Sequence, residues 1–400
     1  MEFIKLIAVF SLLSLIPGQI LRIPPSSTVG AITMSDISVL FLDSLFLVYF
    51  LGVKKSLKFP AQIALPFFAF ITWSIAATIL ALRAFTQTQV LISALFVFRF
   101  FLYFFLVFVS FNLVSKEKIE GWVKLILAIG MLYILIGLLQ FILIPDLTFL
   151  TPFGWDPHQR RIASTLIDPN FSGYIFVLIF SIAISYFLFL KNNLKKYYFA
   201  ISVISFVATV LTFSRSSYLA FLTSVAAIGL IKSRKLLSIS LIAVVIIFIA
   251  FSPVKDRVIG ALTFDDTAKA RVESWQNALT IISDNLYFGV GFNAYRFAQA
   301  KYSFFSTDNP LGGHSGGGVD SSLLLVTATT GLVGISFFVL LIALVMKSLA
   351  KNVTKSPLKL ALLGSFIALL IHSVFVNSLF FPQIMLLFFF LLGLSLKHDS

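Results

Sequence analysis

In the stretch LTFSRSSYLA, residues 211–220, Arg215 stands between two segments apolar enough to sit in lipid, with Ser214, Ser216 and Ser217 around it. A guanidinium offers a planar fork that holds a phosphate or carboxylate at two points, which the ammonium of lysine does not. The bland alternative for one arginine at the end of an apolar segment is a side chain reaching for the membrane interface.

Three further stretches argue for chemistry. WDPHQRRIASTLIDPNFSG, residues 155–173, carries Arg160 and Arg161 beside His158. Its RIASTLIDPN run is too apolar for a freely solvated loop. Asp168, Pro169 and Asn170 read as a turn into a helix, because proline presets the first helical turn and Asp or Asn caps it. AKARVESWQNALTIISDNLYFGVGFNAYRF, residues 268–297, spaces Val272, Trp275, Leu279 and Ile282 as one face of an amphipathic helix, with Arg271 four residues before Trp275. Asn285, Gly289 and Gly291 end that helix. A Gly-x-Gly with no strand before it is not a nucleotide fingerprint. DNPLGGHSGGGVDSSLLLVTATTGLVG, residues 308–334, holds His314 in a glycine-rich turn and Asp320 ahead of an apolar segment. An acidic side chain there reads as a helix cap. Gly331 and Gly334 allow close helix packing. Arg99 is separate, inside VFRFFLYFF, where a buried arginine needs a polar cavity or a partner.

The elements that position these residues are membrane helices. The 400-residue chain is 59% hydrophobic and only 12% charged, with 47 phenylalanines, where soluble domains carry about 25% charge. Apolar runs of membrane-spanning length recur along it. The expected fold is an all-α polytopic membrane protein, a single integral membrane domain over 1–400. About twelve transmembrane helices are expected, near 3–20, 37–53, 60–82, 89–114, 121–144, 171–190, 197–213, 217–231, 236–252, 321–346, 360–379 and 382–396. One large outer loop, 253–320, with an amphipathic helix, comes before the tenth span. The apolar N-terminal segment reads as the first span rather than a signal peptide. With no cysteine, disulfides and thiol chemistry are excluded.

The net charge of +14 does not mark a nucleic-acid binder, because most of the basic residues fall in short loops between apolar runs. With both termini cytoplasmic, 18 of the 30 basic residues lie on the cytoplasmic side, and 17 of those are lysine. That is the positive-inside bias. The short outer loops hold Arg22, Arg83, Arg160, Arg161 and Arg215 and no lysine, which makes the outer face one that handles anions.

Taken in order and spacing, GQILRIPPSSTVGAITMSDISVLF, RIASTLIDPNFSGYI, TFSRSSYLAF, RVESWQNALTIISDNLYFGVGFNAY and DSSLLLVTATTGLVGI resemble the O-antigen ligase and polymerase family of bacterial envelope glycan enzymes. The resemblance implies transfer of a glycan from an undecaprenyl-diphosphate carrier, at the outer face of the bacterial cytoplasmic membrane. The acceptor is a hydroxyl on lipid A–core, on another glycan or on a protein. It implies no metal, nucleotide or other cofactor. Arg215 matches the family's Ser-Arg motif after the seventh span, and Arg271 the arginine ahead of the tryptophan in the large loop. With Arg160, Arg161 and Arg99 they are the expected diphosphate ligands. Ligases carry a histidine about eleven residues ahead of the glycine of a Gly-x-x-Gly. Counting back from Gly331 gives Asp320, with His314 six residues earlier, so either Asp320 or His314 is the expected base. The departure favours a polymerase or a more general glycan transferase over a ligase. The rival reading is a lipid-linked glycan flippase or transporter, which would put its polar residues at mid-membrane.

Overall fold

The computed structural model describes residues 1–24, 30–54, 57–305 and 318–399. Fifteen helices are described: α1 Glu2–Leu13, α2 Met34–Tyr49, α3 Ala61–Leu80, α4 Gln87–Leu113, α5 Ile119–Leu143, α6 Pro169–Phe189, α7 Lys195–Leu211, α8 Arg215–Lys232, α9 Arg234–Ala250, α10 Ser252–Leu262, α11 Asp266–Asp284, α12 Tyr295–Lys301, α13 Ser322–Ala350, α14 Pro357–Phe375 and α15 Pro382–Asp399. A two-residue pairing, Arg22–Ile23 with Ile32–Thr33, is the sole described sheet.

Each of the twelve apolar stretches is helical along most of its length. Seven helices are long and apolar enough to cross a membrane, and the α9–α10 pair, bent by 94°, makes an eighth if counted as one span. Four of the expected twelve fall short of that measure. α1 has only 12 residues, α7 has 17, α8 is bounded by Arg215 and Lys232, and the described apolar part of α15 is Pro382–His398. Between α9 and α13, where one amphipathic helix was expected, the chain forms three: α10, α11 and α12.

Local chemistry sets the helix starts. Thr33 and Asp36 form a reciprocal capping box on α2, and Thr86 and Gln89 form another on α4. The Asp168 side chain accepts from the Asn170 and Phe171 amides with Pro169 in the first turn of α6, as its sequence implies. Ser214 caps α8, Ser321 caps α13, and Ser356 caps α14. The cap on α13 is therefore the residue after Asp320.

Helices α6, α14 and α15 are buried on nearly every side, which is why their sequences lack a polar face. Peripheral helices expose leucine and isoleucine, as Leu65 on α3 and Leu143 on α5 do. Many interior serine and threonine hydroxyls turn back to their own helix or to a neighbour, as in Ser181 to Ser224 at 2.6 Å.

Backbone meets backbone where the 286–291 turn lies on α13. The amides of Val290, Gly291 and Leu332 bond to the carbonyls of Ala328, Thr329 and Leu286. Gly331 breaks the helix there with φ 66° and ψ −171°, and a side chain on it would run into Tyr287 and Phe288 backbone. Both glycines of the Gly-x-Gly, Gly289 and Gly291, have positive φ.

Candidate functional site

The α5–α6, α7–α8 and α14–α15 connections meet at one end of the bundle, together with α10, α11 and the start of α13, around a cavity of about 490 Å³. The lysine-bearing connections alternate with these in chain order: 116–118, 191–196, 232–235 and 347–359. Seven of the chain's ten arginines line the cavity, Arg22, Arg99, Arg161, Arg215, Arg257, Arg271 and Arg296, and among the described residues no lysine does. Among the described residues, Asp156, Asp168, Asp320 and His158 are the other ionisable side chains in its wall.

Two of the arginines are already occupied. Arg215 meets the Asp265 carboxylate fork to fork, through Nη1 at 2.9 Å and through Nη2, while its Nε donates to the Arg257 carbonyl at 2.6 Å. The guanidinium expected on a diphosphate thus braces the junction of α10 and α11 from the first residue of α8. Arg99 pairs with Asp36, with Nε–Oδ1 at 2.9 Å and Nη2–Oδ2 at 3.0 Å, and Tyr103 donates to the same carboxylate. The partner that a buried arginine requires comes from α2.

The other predicted arginines divide. Arg161 donates through Nε to the Thr212 carbonyl at 2.9 Å and through Nη2 to that of Phe213 at 3.3 Å. Burial, then Arg257, pulls its pKa down to about 10, so it stays charged at neutral pH. Arg271 lines the cavity with no hydrogen bond or ion pair to any described residue, and burial lowers its pKa against the pull of Asp320. Arg160 does not belong with them: it sits on the exposed surface in a left-handed turn, its amide bonded to the Pro145 carbonyl. The left-handed turn at Arg160 leaves its side chain outside, and Arg161 takes the inward side.

Asp320 is held by its backbone and open at its side chain. Its amide donates to Ser274 Oγ at 3.1 Å, and its carbonyl accepts from the Trp275 indole at 2.8 Å. The carboxylate makes no hydrogen bond to any described residue. Burial raises its pKa above the ordinary carboxylate value, Arg271 draws it down, and Asp168 and Asp156 push it up. A carboxylate so poised is suited to accept a proton. The other expected base, His314, lies outside the described residues. His158 faces the cavity as a neutral imidazole, its pKa lowered to about 4 by burial, then by Arg161. Beside it, Asn170 Oδ1 accepts from Ser214 at 2.7 Å, tying the start of α6 to the start of α8.

Arg22, Arg257 and Arg296 were not singled out as site residues, although the arginine-for-lysine asymmetry of the outer loops already included Arg22. Arg22 is buried, with its guanidinium 4.4 Å above the Trp155 ring. Arg296 is buried on α12. Among the described residues, no group of three or more His, Cys, Asp or Glu side chains is placed to hold a metal ion.

Chemically, such a wall can take up an anion. Among the described residues, with Asp36 and Asp265 balancing Arg99 and Arg215, five arginines face three aspartates in it.

The chain matches no curated protein. Residues 200–339 match the family model described as O-antigen ligase. The matched stretch runs from α7 into α13 and carries Arg215, Arg257, Arg271, Arg296 and Asp320. With its apolar helices this marks an integral membrane protein, and the match supports the O-antigen ligase and polymerase family for this chain.

Proposed function

We propose that the protein transfers a glycan from a polyprenyl-diphosphate carrier, undecaprenyl diphosphate in bacteria, to a hydroxyl acceptor at the arginine-lined end of the bundle. The observation that carries this reading is the seven-arginine cavity with, in its wall, the Asp320 carboxylate that no described residue hydrogen-bonds. Arg271, Arg161 and Arg257 face the diphosphate, and Arg215 and Arg99 brace the cavity. The acceptor oxygen attacks the anomeric carbon of the donor sugar. The bond from that carbon to the phosphate oxygen breaks, and the diphosphate-lipid leaves with its electron pair. Asp320 takes the acceptor proton. Guanidinium groups fixed where the leaving charge grows stabilise the transition state without reorganising, and they supply the positive charge without a metal or other cofactor.

The lysine-bearing connections between the helices support a cytoplasmic location for both termini and an outer location for the cavity, with 253–320 on the outer side. Polymerase and ligase share this chemistry and differ in the acceptor: another carrier-linked glycan for one, lipid A–core or a protein for the other. The arginines and aspartates of the cavity gather at one end of the bundle, which favours transfer over transport.

The test supplies purified protein in nanodiscs with undecaprenyl-diphosphate oligosaccharide and follows carrier release and glycan length. Release with longer glycans is the polymerase outcome. Release that requires added lipid A–core or protein is the ligase outcome. Donor that binds, never reacts, and crosses the bilayer of proteoliposomes would overturn the reading in favour of a flippase.

A further inference from the structure

Beside the arginine cavity runs a second hollow of about 580 Å³ with a different wall. Leu139, Leu143, Ile144, Phe149 and Phe153 line it, from the C-terminal end of α5 and the short helical turn Thr148–Phe153, with Ile20 from the α1–α2 connection. Phe149, in that turn, is 58% exposed, and Leu143, at the end of a helix long and apolar enough to span a membrane, is 71% exposed. The two hollows share Gln19, Arg22, Trp155 and Ile167. At that shared wall the Arg22 guanidinium lies over the Trp155 ring. The boundary is therefore amphipathic, with positive charge towards one side and apolar surface towards the other.

We infer that this groove seats the first prenyl units of the donor, with the chain running out along α5 into the lipid. The inference rests on the proposed glycan transfer and adds where the carrier lies. Covalent connectivity selects the donor as occupant. In a prenyl diphosphate the chain begins at the phosphate, so a diphosphate held by the arginines must release its chain through an apolar opening directly beside them. An acceptor's lipid is separated from its reacting hydroxyl by sugars and has no such constraint. Exposed large apolar side chains next to a charged cavity also match the two halves of one amphiphile.

The test uses the full chain in nanodiscs and a long-chain prenyl diphosphate bearing a diazirine in its first isoprene units, without a glycan. After photolysis, labelled peptides are mapped by mass spectrometry. The expected result is labelling of 136–153, lost with excess unlabelled prenyl diphosphate and retained with excess phospholipid. Competed labelling on other helices would overturn the groove while leaving the diphosphate reading intact. Groove labelling removed equally well by phospholipid would also overturn it, marking a seat for bilayer lipid. No saturable labelling anywhere would sink both. In parallel, Leu143→Trp, which fills the groove, is expected to abolish groove labelling while unlabelled prenyl diphosphate still protects Arg271 from an arginine-modifying dicarbonyl. Unchanged labelling in that variant would count against the groove.

Discussion

Arg215 and Asp265 are joined fork to fork across 50 residues of sequence, with the Nε of Arg215 fixed on the Arg257 carbonyl. The pair ties the first turn of α8 to the cap of α11, since the same Asp265 carboxylate accepts from the Ala268 amide at 3.0 Å. Gly260 lies against both side chains, leaving room for the clamp.

Lysine cannot reproduce two parallel bonds. Arg215→Lys is therefore expected to lower kcat/KM by about tenfold or more, and Asp265→Asn by a similar factor. The double variant is expected to lose no more than either single one, because both remove the same brace. Steady-state kinetics on the three proteins check this. Losses that multiply in the double variant would mean that Arg215 touches substrate independently of Asp265.

Arg271 and Arg160 are expected to part company. Arg271 faces the cavity without a partner among the described residues, whereas Arg160 points to solvent. Removing one preorganised donor from a transition-state charge costs about 10²–10³ in kcat. Arg271→Gln is expected to fall in that range, and Arg160→Gln to stay within about twofold of the parent protein. The same carrier-release assay measures both. Equal losses would put the diphosphate outside the cavity.

Asp320 acts as a base when deprotonated, so activity is lost as pH falls through its pKa. Burial places that pKa above the usual carboxylate value of 3.8, and Arg271 lowers it. The acid limb of the kcat/KM profile should lie above that value and move to higher pH in Arg271→Gln. Asp320→Asn is expected to remove the limb and lower kcat by about 10²–10⁴. A profile in which the limb survives Asp320→Asn and disappears in His314→Ala would transfer the role to His314.

His158 gives a stability prediction on the same face. Its folded pKa is about 4 against 6.5 unperturbed. Between those values the unfolded chain binds the proton and the folded chain does not, so stability falls as pH drops from about 6.5 to about 4. His158→Gln should flatten the pH dependence of the thermal midpoint in detergent over that window. An unchanged slope would assign it to other groups.

The spanning helices were legible because each is a long apolar run, whereas the short α10 and α12 leave no such run. Arg99 was recognised as needing a partner, but nothing in VFRFFLYFF points to Asp36, 63 residues away. Asp265 was invisible for the same reason: pairing across the bundle leaves no periodic trace. Arg160 and Arg161 could not be told apart, since adjacent positions share a composition and differ only in backbone direction. The substitution of arginine for lysine did carry information. It encompassed Arg22 before any contact was known, although it also included Arg83, which lies away from the cavity.

Gly331 tests whether the break in α13 is required. With φ 66° and ψ −171° it occupies backbone space essentially reserved for glycine, and a Cβ would meet Tyr287 and Phe288 backbone. Relieving that clash would push the 286–291 turn off α13 and with it Asn293 and Arg296, which line the cavity. Gly331→Ala is expected to cost about 1–3 kcal/mol from the backbone alone and to lower activity through the displaced cavity wall. Gly121 on α5 is the control, since a Cβ there meets nothing within 4 Å. Gly121→Ala should be neutral or stabilising by up to about 1 kcal/mol. Thermal unfolding of the two variants in one detergent compares them directly. Equal midpoints would mean that the α13 break is not a requirement of the fold.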